Sequence, residues 1–75
     1  MNEQRTYILA GTYQQAVDAA RLLPRDQWRY VDEDRHLYGV HAGSLLVVGT
    51  FWERRDAARL YDLARANGLE EPTHD

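Results

Sequence analysis

The residues with chemistry to offer gather in two glycine-led stretches. Gly11-Thr12-Tyr13 and Gly49-Thr50-Phe51-Trp52-Glu53-Arg54-Arg55 each follow a β-prone apolar run and precede a helical pattern. A Gly-Thr turn at that junction presents backbone N–H groups, a hydroxyl and a helix N-terminus, a combination that holds a phosphate or carboxylate without a dedicated cation. The second stretch adds a different capability. Trp52, Arg54 and Arg55 bring stacking area and directional donors, the residue types that dominate protein contact hot spots and base stacking. Plainer uses stand beside these: Phe51 as a core plug, Asp56 as a helix N-cap, Arg54 and Arg55 as solvated charges, and each Gly-Thr pair as a turn with a hydroxyl near a cap. The candidate binding residues are Gly11, Thr12, Tyr13, Gly49, Thr50, Trp52, Glu53, Arg54 and Arg55.

Other chemistries are poorly supplied. The chain has no Cys and one Ser, Ser44, and its nine basic residues are all Arg. Without lysine there is no Schiff base, no Ser-Lys dyad and no P-loop lysine. No nucleophile stands beside a base in sequence, so the residues argue for a binding module, with no catalytic residue and no cofactor assigned. Asp32-Glu33-Asp34 with His36 and His41 makes a metal site on paper. A carboxylate run in a polar loop is more simply a solvated loop, the histidine spacing matches no ligand pair on a helix face, and no metal is assigned. A net charge of −3 disfavours nucleic acid relative to a protein partner, although the local arginines keep it in consideration.

The elements that must position these residues follow from periodicity. Thr6-Tyr7-Ile8-Leu9-Ala10 reads as a strand, and Tyr13, Ala16, Val17, Ala20 and Leu23 give a helix over about 12–23 that Pro24 ends. Gln27-Trp28-Arg29-Tyr30-Val31 is a second strand. Residues 32–44 form a polar connection with a single helical turn near 35–38, where Leu37, Tyr38 and Val40 can plug the core. Leu45 to Gly49, without a polar side chain, reads as a third strand covered on both faces. Ala57, Leu60, Tyr61 and Ala64 mark a second helix that Asn67-Gly68 stops, and Leu69 to Asp75 reads as an acidic tail.

Gly11-Thr12-Tyr13, four residues, Asp18-Ala19-Ala20-Arg21-Leu22 recurs as Gly49-Thr50-Phe51, four residues, Asp56-Ala57-Ala58-Arg59-Leu60. Seven of twelve positions are identical. Two strand-turn-helix units, at 6–23 and 45–68, account for it, whether by duplication or by a shared geometric demand. Each helix is long enough to run back along its strand. The fold expected is a minimal Rossmann-like α/β domain: β-α-β-β-α along the chain, with a three-stranded parallel sheet in order 2-1-3 and both Gly-Thr turns side by side. A hairpin between the second and third strands is the competing topology.

Seventy-five residues make one domain, 1–75, with an ordered core of about 5–69 and a frayed acidic tail at 70–75. So short a chain buries only about 60% of its unfolded surface. A thin core and two sheet edges favour self-association as a homodimer. No apolar run approaches the ~18 residues of a membrane span, no signal peptide is visible, and the absence of cysteine suits a reducing compartment, so a cytoplasmic setting is expected.

Ile8-Leu9-Ala10-Gly11, Trp28-Arg29-Tyr30-Val31, Leu37-Tyr38-Gly39 and Val47 to Asp56 together resemble a group of short uncharacterised proteins of actinobacterial bacteriophages. The resemblance spans nearly the whole chain and implies a viral origin and a host cytoplasmic setting but transfers no activity; Arg55 stands where many relatives would carry Pro. The function expected is that of a non-enzymatic accessory protein that binds a host or phage macromolecule. The arrangement is also similar to the first half of a P-loop NTPase core without its P-loop. It lacks G-x-x-x-x-G-K-[ST], and Val48-Gly49-Thr50 lacks the carboxylate that holds magnesium.

Overall fold

A computed structural model describes residues 5–71. Its elements in chain order are β1 (Thr6–Ala10), α1 (Tyr13–Ala19), β2 (Trp28–Tyr30), β3 (Gly43–Val48), α2 (Ala57–Ala66) and β4 (Leu69–Glu70). Short 3₁₀ turns occupy Arg25–Gln27, Asp34–Leu37 and Phe51–Glu53.

All strand pairs are parallel, and the sheet order is β2-β1-β3-β4. The expected 2-1-3 core is present, without a hairpin between β2 and β3, and a fourth strand extends it. β4 lies where the sequence reading placed the start of a tail. Leu69 is fully buried, and the left-handed Gly68, at φ +89°, turns the chain from α2 onto the edge of β3. Residues 72–75 of the expected tail lie outside the described residues.

Alternation divides the core between the two faces of the sheet. Tyr7 and Leu9 join Val31, Leu45, Leu60 and Ala64 beneath α2, whereas Ile8 and Ala10 meet Ala16 and Ala20 beneath α1. The connection from β2 to β3 runs on the α2 side, where Leu37 is buried and Val40 packs against the cluster. Tyr38, expected as a further plug, is 70% exposed instead. It is the residue that leaves the 3₁₀ turn, and Leu37 has already filled the space beneath.

The two helical layers are unequal. α2 has ten residues, α1 only seven, so the expected helix over 12–23 is cut short. At Ala20 the N–H is shared between the carbonyls of Ala16 and Val17, and the Leu23 N–H then bonds the Ala20 carbonyl, so the chain leaves the helix before Pro24 forces it out. Leu22, 90% exposed, has no sheet to pack on and gives no reason to continue. A seven-residue helix is about 10 Å long and covers less than a five-residue strand spans. Of the strand expected to be covered on both faces only Leu45 is buried; Val47 on the α2 side and Leu46 and Val48 on the α1 side are half-buried.

Candidate functional site

Ala10 and Val48 end β1 and β3 as parallel partners, so Gly11 and Gly49 leave the sheet side by side. That is the crevice at which a doubly wound sheet reverses its winding. The two turns touch. A Cβ at Gly11 would collide with Thr50 Oγ1, and one at Gly49, where φ is +62°, would collide with the Gln15 side chain.

Gln15 takes up three of the donors at this rim. Its Oε1 accepts from the Gly11 N–H at 3.0 Å, the Thr50 N–H at 3.0 Å and the Thr50 hydroxyl at 3.3 Å. A neutral carbonyl from the chain itself thus sits among the donors that the anion-binding alternative would use. The sequence carries a local signal for this. Thr12-Tyr13-Gln14-Gln15 is a capping-box pattern: the Thr12 hydroxyl accepts from the Gln15 N–H at 3.2 Å, and the Gln15 side chain turns back toward the N-terminus. It reaches past the cap to Gly11 and across to the second turn. Tyr13 lies apart from this cluster, 55% exposed, with its ring edge-on to Tyr30 at 5.6 Å.

Arg54 does something different from a surface contact. Its side chain is 17% exposed, and all five guanidinium N–H donors have partners in the protein. Nε and Nη2 grip the two oxygens of Asp56 at 2.9 and 3.0 Å; Nη1 bonds the Ala10 carbonyl at 3.2 Å and the Tyr30 hydroxyl at 3.3 Å; Nη2 also bonds the Asp32 carbonyl at 2.7 Å. The Asp32 carboxylate adds an ion pair at 3.2 Å. One side chain therefore ties the ends of β1 and β2 to the loop after β3. The hydrogen bond from Arg54 is the main cause holding the Asp56 carboxyl below its ordinary range, and the same bond raises the guanidinium. Burial, seconded by the Asp32 charge, raises the Tyr30 hydroxyl.

Asp56 stands at the N-cap position of α2, but its side chain makes no capping bond because Arg54 holds it. Phe51 is fully buried, the core plug its position suggested. Glu53 and Arg55 are exposed. Trp52 is 57% exposed, yet its ring is braced edge-on against Phe51 and tilted against Tyr61, both at 5.1 Å. The Tyr61 hydroxyl in turn donates to the Glu71 carboxylate, the main cause of its raised pKa.

The carboxylate run is fully engaged with arginine: Asp32 with Arg54, Glu33 with Arg35 at 2.9 Å, and Asp34 with Arg59 at 2.5 Å. His36 Nδ1 accepts from the Asp32 and Glu33 N–H groups, at 3.1 and 3.3 Å, and so organises the turn. Among the described residues no three His, Cys, Asp or Glu side chains are disposed to hold a metal ion, and no helix is long and apolar enough to cross a membrane. A cleft of about 170 Å³ lies between Asp34, Asp56 and Arg59, and a more open groove of about 520 Å³ runs past Tyr38, Asp62 and Leu63. Neither includes a residue of the Gly-Thr rim.

Fold and rim together define a small, doubly wound parallel α/β domain whose two glycine turns are bridged by its own Gln15 side chain. No family model, curated protein or solved structure matches the chain.

Proposed function

We propose that this chain is a non-catalytic binding module that engages another protein through a surface centred on Trp52, with Glu53 and Arg55 exposed beside it. The carrying observation is the state of Trp52: more than half exposed, yet braced by Phe51 and Tyr61. An anchor already held in one orientation loses little side-chain entropy on binding, and Trp and Arg are the side chains on which contact energy concentrates. The resemblance to phage-encoded chains supplies the setting, a host cell, and an accessory role there is part of the proposal. A phosphate-bearing ligand is the weaker reading, since the Gly11 and Thr50 N–H groups it would use are bonded to Gln15.

The test is affinity capture from infected host lysate with the wild type and Trp52→Ala as paired baits. A partner retained by the wild type and lost from a variant of unchanged melting temperature supports the reading; equal capture by both overturns it.

A further inference from the structure

We infer that the outer edge of β2 is a docking site for an extended segment of another protein that reads apolar, acidic, apolar over three consecutive residues. The phase of the strand is set by one bond: the Val31 N–H donates to the Ile8 carbonyl at 3.0 Å. Backbone groups alternate sides along a strand, so Arg29 and Val31 face β1, while Trp28 and Tyr30 turn their N–H and C=O groups outward. Among the described residues none of these outward groups has a protein partner. They form a short open ladder of the kind an incoming strand completes.

The two faces beside that ladder differ in chemistry. On the α1 side the rings of Trp28 and Tyr30 are half-buried, Tyr13 extends them as an exposed aromatic shelf, and the turn from α1 leaves Leu22 exposed. Arg29 projects from the other face. It is exposed and, with Arg21 and Arg25 in the turn before β2, has no ion pair among the described residues. An added strand places its central residue on the face of Arg29 and the flanking two over the aromatic rings. Charge complementarity therefore asks for Asp or Glu at the centre and apolar side chains beside it.

The same arginine argues against a second copy of this chain. Antiparallel pairing of the whole three-residue strand with its twin sets Arg29 directly opposite Arg29, and like charges in that position repel.

The probe is the capped peptide acetyl-Thr-Val-Glu-Val-Thr-amide, followed by amide hydrogen exchange and NMR titration of the full chain. In the free protein the Trp28 and Tyr30 amides are expected to exchange fast and Val31 slowly; the peptide protects the first two. Lysine in place of the central glutamate is expected to weaken binding about fivefold or more, and Arg29→Glu to reverse that preference. N-methylation of the two ladder-forming peptide nitrogens leaves the protein untouched and is expected to abolish binding. Trp52→Ala is expected to leave peptide binding unchanged, which keeps this surface distinct from the one proposed above. Equal affinity of the Glu and Lys peptides overturns the inference. So does protection of Trp28 and Tyr30 in the free chain that grows with protein concentration, because the occupant is then a second copy.

Discussion

Asp18-Ala19-Ala20-Arg21-Leu22 and Asp56-Ala57-Ala58-Arg59-Leu60 are the same five residues, and they do opposite jobs. The first set closes α1 and runs into the following turn; the second opens α2. Leu22 is 90% exposed and Leu60 1%. Both sets stand at the same distance from a Gly-Thr turn at the end of a neighbouring parallel strand, so neither the shared five residues nor strand position explains the contrast. What differs is the four-residue spacer. In the first unit it includes Ala16, fully buried against the sheet, so the helix begins as early as Tyr13. In the second unit Arg54 holds that place, and its guanidinium clasps Ala10, Tyr30, Asp32 and Asp56. The chain passes through a 3₁₀ turn at Phe51–Glu53, and the helix starts only at Ala57.

The largest expected difference is between the two leucines. Leu60→Ala opens a cavity in the α2-side core and should cost about 2–5 kcal/mol, a large share of the stability of so small a domain. Leu22→Ala at the matching place in the first unit should change stability by less than about 0.5 kcal/mol. Urea denaturation of both variants measures this; comparable losses would mean that the two units are structurally equivalent after all.

That contrast also marks what sequence could convey. The parallel core of three strands and the adjacency of the two glycine turns were legible, because short apolar runs, Gly-Thr junctions and helical stripes are local signals. β4 was not, since two residues with one apolar side chain show no periodicity. The structural role of Arg54 was not legible for a related reason. Its partners Ala10 and Asp32 lie 44 and 22 residues away in sequence, and nothing local announces that a guanidinium will be turned inward. Gln15 was legible in principle through the Thr-x-x-Gln pattern; its reach to Thr50, 35 residues away, was not.

Arg54→Lys sharpens the comparison next. An ammonium keeps the charge but cannot supply five donors in a planar fork, so the carbonyls of Ala10 and Asp32 and both Asp56 oxygens cannot all be satisfied. A loss of about 2–3 kcal/mol is expected, with exchange protection falling first at the ends of β1 and β2. The Arg54 and Asp56 pair also sets a pH dependence. Because the folded carboxyl is held below its ordinary value, its contribution is complete above the unfolded pKa near ~4 and is lost as pH falls through the folded one. With the Asp56 side chain 41% exposed, solvent screening keeps that contribution below about 1 kcal/mol. Asp56→Asn should flatten this part of the acid limb and leave stability above pH ~6 lower by a similar amount.

The smallest effect tests whether the two turns are held from the first unit alone. Gln15 and Glu53 occupy matching places in the repeat, but only Gln15 reaches the rim, while Glu53 stays exposed. Gln15→Glu keeps the length of the side chain and replaces the carbonyl oxygen by a carboxylate facing the same N–H groups and hydroxyl. Charge-assisted acceptors are stronger, so the variant should gain about 0.5–1 kcal/mol near neutral pH. Those donors favour the ionised form and hold its folded pKa down. The gain should therefore be complete above the unfolded Glu value near ~4.3 and vanish as pH falls through the folded value. Urea midpoints at neutral and strongly acidic pH separate the outcomes: a gain confined to neutral pH identifies the rim as a set of converging donors, whereas a pH-independent change would mean that Gln15 acts by packing alone.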